Sequence, residues 1–230
     1  MHWSYTVTMI LSLSIFIAGI IGVLRFAQIP EIYRPFIYLI WIGCITEVLS
    51  IYFAYRYHNN LAIQTIYTLL ESLLLLWFFA RLGIFKKHKK FVYLLGSVFV
   101  ISWAIDNFWS GAFGSRYSFY FDMIYALFIV LLSIRAINNL LFTEKELLKN
   151  PTFLICMGLM IFFTYQIIQR MFGLYGLKDT MQFRSSVQRI LNLINCFTNL
   201  IFALAVLWMR KRKPFTMQFG TFDQPAETSR

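Results

Sequence analysis

The chain has 230 residues, of which 59% are hydrophobic and 13% charged, with a mean hydropathy of +0.65. Soluble domains run to roughly 45–50% apolar and about 25% charged residues, so lipid rather than water must cover most of this surface. The formal net charge of +11 does not indicate nucleic acid, because the basic residues sit at the ends of apolar stretches instead of gathering on one folded face.

The first apolar stretch, Tyr5 to Phe26, is too long for a signal-peptide core and lacks a basic lead-in or a small-residue cleavage site, so it reads as a retained helix. Six more follow: Phe36 to Tyr55, Leu61 to Ala80, Phe91 to Trp109, Ser118 to Asn138, Thr152 to Phe172 and Gln188 to Met209. Each approaches the ~20 residues that cross ~30 Å of hydrocarbon. The fold class is therefore an all-α integral membrane bundle of seven transmembrane helices over residues 1–213, with all five prolines outside the spans or at their starts, implying unbroken helices. Between the fourth and fifth spans, the Gly-Ala-Phe-Gly-Ser run inside Ser110 to Tyr117 signals a turn. The tail from Pro214 to Arg230 is polar and reads as disordered.

Orientation follows from the basic residues. An outside N-terminus puts 14 on the cytoplasmic side (Arg25, Arg34, Arg81, the Lys86–Lys90 cluster, Arg135, Lys145, Lys149 and Arg210–Lys213). It puts six on the other: Arg56, Arg116, Arg170, Lys178, Arg184 and Arg189. That split satisfies the positive-inside rule and leaves the C-terminus cytoplasmic. Trp3, Tyr5, Tyr55, Tyr57, Trp109, Tyr117, Tyr120 and Trp208 fall at the proposed edges as interfacial anchors. No Asn-x-Ser/Thr sequon occurs, which favours a bacterial inner (plasma) membrane.

Ionisable and amide side chains at bilayer depth are costly, and they face the bundle interior where they find partners. Glu47, on a face with Gly43 and Ser50, and Glu71, on a face with Gln64 and Thr68, both lie roughly 15 Å from the shared turn between their helices. Two carboxylates close together in low dielectric cannot both ionise cheaply, so a proton or a cationic partner is expected. They form a proton, cation or amine site, or else a hydrogen-bonding clamp between helices. The last span carries Gln188, Asn192, Asn195 and Asn199 at spacings of 4, 3 and 4, a polar stripe suited to a neutral polar ligand or to interhelical bonding. The sixth carries Gln166, Gln169 and Arg170; with Arg189, Asp106 and Asp122 they set both charge signs at one level, either as ion pairs or as a polar pocket, with headgroup anchoring as the alternative.

In topology the chain resembles rhodopsins and heptahelical receptors, but no lysine lies within the last span to hold retinal, and the Asp-Arg-Tyr and Asn-Pro-x-x-Tyr motifs of receptors are missing. Read as a 3+1+3 plan the chain resembles SWEET sugar transporters, with Gln64-x-Ile66-x-Thr68-x-x-Glu71 weakly echoing Gln188-x-Ile190-x-Asn192-x-x-Asn195, but without their helix prolines. No hydrolase, zincin or phosphate-loop motif occurs, and no histidine falls in any span. Cys44, Cys156 and Cys196 lie in separate apolar segments and His2, His58 and His88 in the tail and two loops, so neither metal nor cofactor is expected. The expected partners are the lipid bilayer, a small polar ligand and a cytoplasmic or membrane protein, with no nucleic acid. Two functions fit: a sensor or accessory protein binding a ligand in the outer half, or a proton- or cation-coupled carrier using Glu47 and Glu71.

Overall fold

A computed structural model describes residues 5–85, 89–109, 119–143, 146–175 and 181–209. Several sequence readings fall outside the described residues: the Ser110 to Tyr117 turn, the tail from Pro214, Trp3, and the basic residues Lys86, Lys87, Arg116, Lys145, Lys178 and Arg210–Lys213.

The described chain is helical. The first span comprises α1 (Tyr5–Ser12) and α2 (Ile15–Arg25). Then follow α3 (Arg34–Tyr57), α4 (Leu61–Arg81), α5 (Lys89–Ala104), α6 (Phe119–Thr143), α7 (Pro151–Tyr175) and α8 (Met181–Trp208). Seven stretches of 19 to 27 residues are long and apolar enough to cross a membrane, so the chain is a polytopic helical membrane protein. Most helices outrun their apolar windows: α6 continues five residues past Asn138, and α8 starts seven before Gln188. Hydropathy marks the hydrocarbon slab, whereas helical hydrogen bonds carry on into the polar headgroup layer.

The first span corrects the expectation of unbroken helices. Leu13 and Ser14 form a tight turn between α1 and α2, with Phe16 N–H donating to the Leu13 carbonyl (3.0 Å) and Ile17 N–H to the Ser14 carbonyl (3.2 Å). The cause is side-chain competition with the helix ladder: Ser14 Oγ donates back to the Leu11 carbonyl at 2.7 Å and accepts from Asn199 Nδ2 at 2.9 Å. Serine back-bonding of this kind bends helices without proline.

Packing arranges six spans as a ring. α2 lies along α3, α3 along α4, α6 along α7, α7 along α8 and α8 along α2, while α4 touches α6 to close the circuit. α5 stands outside it against α4. It ends in a π-helical turn, Ile105–Trp109, in which Asn107 Nδ2 donates to the Trp103 carbonyl at 2.8 Å. Small residues permit the close approaches. A Cβ on Gly43 would stand 2.6 Å from Ile15 Cδ1, and one on Gly158 would stand 2.7 Å from the Phe202 ring. Such contacts are how membrane helices pack where the hydrophobic effect cannot drive them together.

The ring is not uniform along its axis. The half that holds the start of α3 and the ends of α4 and α8 is filled by buried Phe36, Ile37, Phe78, Phe79, Ile155 and Val206. Its rim is tied by Tyr33 Oη to Thr152 Oγ1 at 2.8 Å and by Arg25 donating to the Leu207 carbonyl. The opposite half, which holds the α3–α4 turn, collects the polar side chains.

Candidate functional site

Between α2, α3, α4, α7 and α8, in that polar half, lies a cavity of about 230 Å³. Seven of the eleven residues singled out from sequence line it: Glu47, Gln64 and Glu71 from α3 and α4, Gln166 and Arg170 from α7, and Asn195 and Asn199 from α8. Its apolar wall includes Phe36, Phe162, Phe163 and Phe202.

Glu71 is the most elaborately held. Tyr125 Oη on α6 donates to one carboxylate oxygen at 2.8 Å, and Tyr67 Oη, one turn earlier on α4, donates to the other at 3.2 Å. Tyr125 is fully buried, stacked on Phe121 and edge-on to Phe163. Gln166 lines the cavity beside Glu71. Glu71 thus sits deep in the bundle while one face of it looks into the cavity, where a bound group can reach it.

Glu47 lines the same cavity, as does Tyr67. The two acids expected at matching depths thus border one chamber, together with a phenol that helix depth alone could not foresee.

Arg170 and Asp122 form an ion pair at 2.6 Å, with side chains 18% and 4% exposed. One of the ion pairs expected from sequence thus forms inside the bundle. Asp106 takes a different part. Its Oδ2 accepts from the Phe121 backbone N–H at 3.0 Å, a cap on the first turn of α6. Arg189 donates to Ser186 at 3.0 Å. The stripe on α8 divides. Asn195 and Asn199 face the cavity, whereas Gln188 and Asn192 join Gln169 in a chain of amides, Gln169 Nε2 to Gln188 Oε1 at 3.0 Å and Gln188 Nε2 to Asn192 Oδ1 at 3.2 Å. That chain ties α7 to α8, which is the interhelical bonding weighed for the stripe as a whole.

No protein-family model, curated protein or solved structure matches the chain. Chemical reading of the site thus rests on its own residues.

Sequence reasoning missed Tyr67, Thr198, Tyr125 and Ser14 among others. Tyr67 was recoverable, since it stands one helical turn before Glu71 on the same face, and so was Thr198, three residues after Asn195. Tyr125 and Ser14 reach the site through tertiary packing, with no local signal. Among the described residues no group of three or more His, Cys, Asp or Glu could hold a metal ion. The assembled groups, two carboxylates, a guanidinium, phenols, amides and aliphatic hydroxyls with aromatic walls, can hold a small polar molecule and can take up or release protons.

Proposed function

We propose that the chain is a seven-helix receptor-like sensor or accessory protein of a bacterial inner membrane, N-terminus outside, that binds a small polar ligand in this cavity and passes the change to a cytoplasmic or membrane partner. The observation that carries the reading is convergence: polar side chains from four helices, each costly at bilayer depth, meet at one chamber instead of pairing off separately. At about 230 Å³ the chamber lies below the ~300–1,000 Å³ of drug-sized sites, which suits a small metabolite. With the N-terminus outside, its half of the bundle faces outward.

The test is extraction of small molecules from detergent-purified protein. Wild type should retain a compound that a cavity-filling variant, Thr198→Phe or Asn195→Trp, loses while remaining monodisperse. Equal retention by all of them, or none by any, ends the reading. For the signalling part, the wild-type chain should co-purify a cytoplasmic or membrane partner, and repeated failure to do so refutes it.

A second reading has its own support. Glu47 and Glu71 on one chamber, with the Tyr67 hydroxyl bonded to Glu71, suit a proton- or cation-coupled carrier. In proteoliposomes that carrier requires a proton flux abolished by replacing both acids with Gln; flux that survives eliminates it.

A further inference from the structure

Resting on the proposal that the cavity binds a small molecule, we propose that its ligand is a small organic ammonium ion. The charge balance of the lining comes first. Three ionisable side chains bearing formal charge face the chamber: Glu47, Glu71 and Arg170. The guanidinium of Arg170 is already matched by Asp122 at 2.6 Å. Among the described residues, the side-chain hydrogen bonds to these glutamates come from hydroxyls, those of Tyr67 and Tyr125 on Glu71. A carboxylate held so far from water is neutralised by a proton or by a cation, and a cavity at its side gives a cation room to arrive.

Two unsatisfied polar atoms point the same way. Thr198, 1% exposed, lines the chamber with a hydroxyl oxygen that has no hydrogen-bond partner. The side-chain oxygen of Gln166 is likewise buried without a partner. The Tyr125 hydroxyl beside the chamber spends its proton on Glu71 and offers no donor to that oxygen. The Gln166 oxygen calls for a donor, an N–H or a polarised C–H, and the Thr198 hydroxyl can accept from the same group.

The walls decide between kinds of cation. A bare metal ion needs a compact shell of ligands, and no group of three or more His, Cys, Asp or Glu among the described residues could hold one. Between the polar groups stand the rings of Phe36, Phe162, Phe163 and Phe202. Aromatic faces attract organic ammonium groups and pack against their carbon atoms. An anion would meet two carboxylates, and a neutral polyol would leave a proton as the only way to neutralise either of them.

The experiment uses the full-length protein in detergent and isothermal titration calorimetry with ethanolamine, choline, acetate and 3,3-dimethylbutan-1-ol, the uncharged carbon counterpart of choline. At least one ammonium probe should bind ten or more times tighter than the alcohol, and acetate should not compete. Glu71→Gln and Glu47→Gln should each weaken that probe about tenfold or more, while Glu31→Gln, at an exposed pair with Arg34, leaves it unchanged. If Glu71→Gln does not fold, Glu47→Gln together with Thr198→Val carries the same expectation. Equal affinity for choline and the alcohol, indifference to both glutamate replacements, or no binding of either ammonium overturns the assignment. The extraction experiment separates the two failures: a neutral or anionic compound recovered from wild type sinks the ammonium ligand alone, and recovery of nothing sinks the binding reading with it.

Discussion

Replacing Asp122 with Asn removes the counter-charge of Arg170 while keeping the shape of the side chain. The pair is short, 2.6 Å, and its carboxylate side is 4% exposed. Breaking a buried ion pair from one side costs about 3–5 kcal/mol, since the remaining charge stays desolvated. Arg170 borders the cavity and is 18% exposed, so water there relieves part of the penalty and the lower end, about 3 kcal/mol, applies. For a chain of this size that corresponds to roughly 6–12 °C in the thermal transition. The assay is the temperature at which detergent-purified protein loses its monodisperse peak, measured for Asp122→Asn, Arg170→Met and the double variant. The double variant should recover much of the loss, because it removes both charges at once. A fall below about 2 °C for Asp122→Asn, or a double variant as damaged as the two singles summed, would mean that Arg170 snorkels into headgroup water and is no part of an interior site.

Three further outcomes follow from individual contacts. Tyr125→Phe should lower stability by about 0.6–1.7 kcal/mol, the range for interhelical hydrogen bonds in membranes; Tyr67→Phe, whose bond to Glu71 is longer and lies within one helix, should cost less in the same melting assay. Gly158→Ala forces a methyl to within 2.7 Å of the Phe202 ring, a ring already edge-on to Phe36 at 5.0 Å, so the packing has little room to yield. It should cost about 1–3 kcal/mol, read as a lower melting temperature, and a neutral result would show that α7 and α8 are looser than described. Reporter fusions at the two ends should give opposite sides of the membrane, N-terminus outside, as seven spans and the basic-residue asymmetry require; the same side for both would remove the seven-span count.

The spans were legible because hydrocarbon imposes one strong rule, a run of apolar residues of fixed length, that no partner choice can disguise. The polar residues were legible for the converse reason: Glu71, Gln166, Arg170, Asn195 and Asn199 stand out in a greasy background and must turn inward. Their pairings were only partly so. Arg170 had two acids at its level, and what separates Asp122 from Asp106 is the fold: Asp122 lies on α6, packed along α7, whereas Asp106 in the π-helical turn is committed to the Phe121 amide. Helical spacing put Gln188, Asn192, Asn195 and Asn199 on one stripe, yet the stripe runs past the cavity, and its first two members serve the contact between α7 and α8 instead. The turn at Leu13–Ser14 left no mark that proline or glycine counting could find, since it depends on Asn199, 185 residues away.

The contrast between the two halves of the bundle bears on the choice between binding and transport. Phe36 forms part of the cavity wall and also packs against Phe78 (5.7 Å) and Phe202 (5.0 Å). Beyond it lie Phe79, Ile155 and Val206, all fully buried. A solute crossing the protein along the ring axis would have to part these side chains, and interiors packed at this density rearrange between discrete states instead of deforming smoothly. A carrier thus requires a second packing of that whole layer, whereas a binding protein requires none of it. Reception needs a smaller event. Asn199 lines the cavity and also donates to Ser14 at the break in the first span, so a ligand that draws Asn199 into the chamber leaves Ser14 to close on the Leu11 carbonyl alone. In the proposed receptor, a contact that recognised a ligand would therefore bear on how α1 meets α2, a change that could travel along α2 to its far end, where Arg25 holds the Leu207 carbonyl of α8. Only a ligand whose affinity differs between the two arrangements can drive that change, which makes replacement of Ser14 by Ala a discriminating variant: binding persists in both readings, and transmission to a partner fails in the receptor alone.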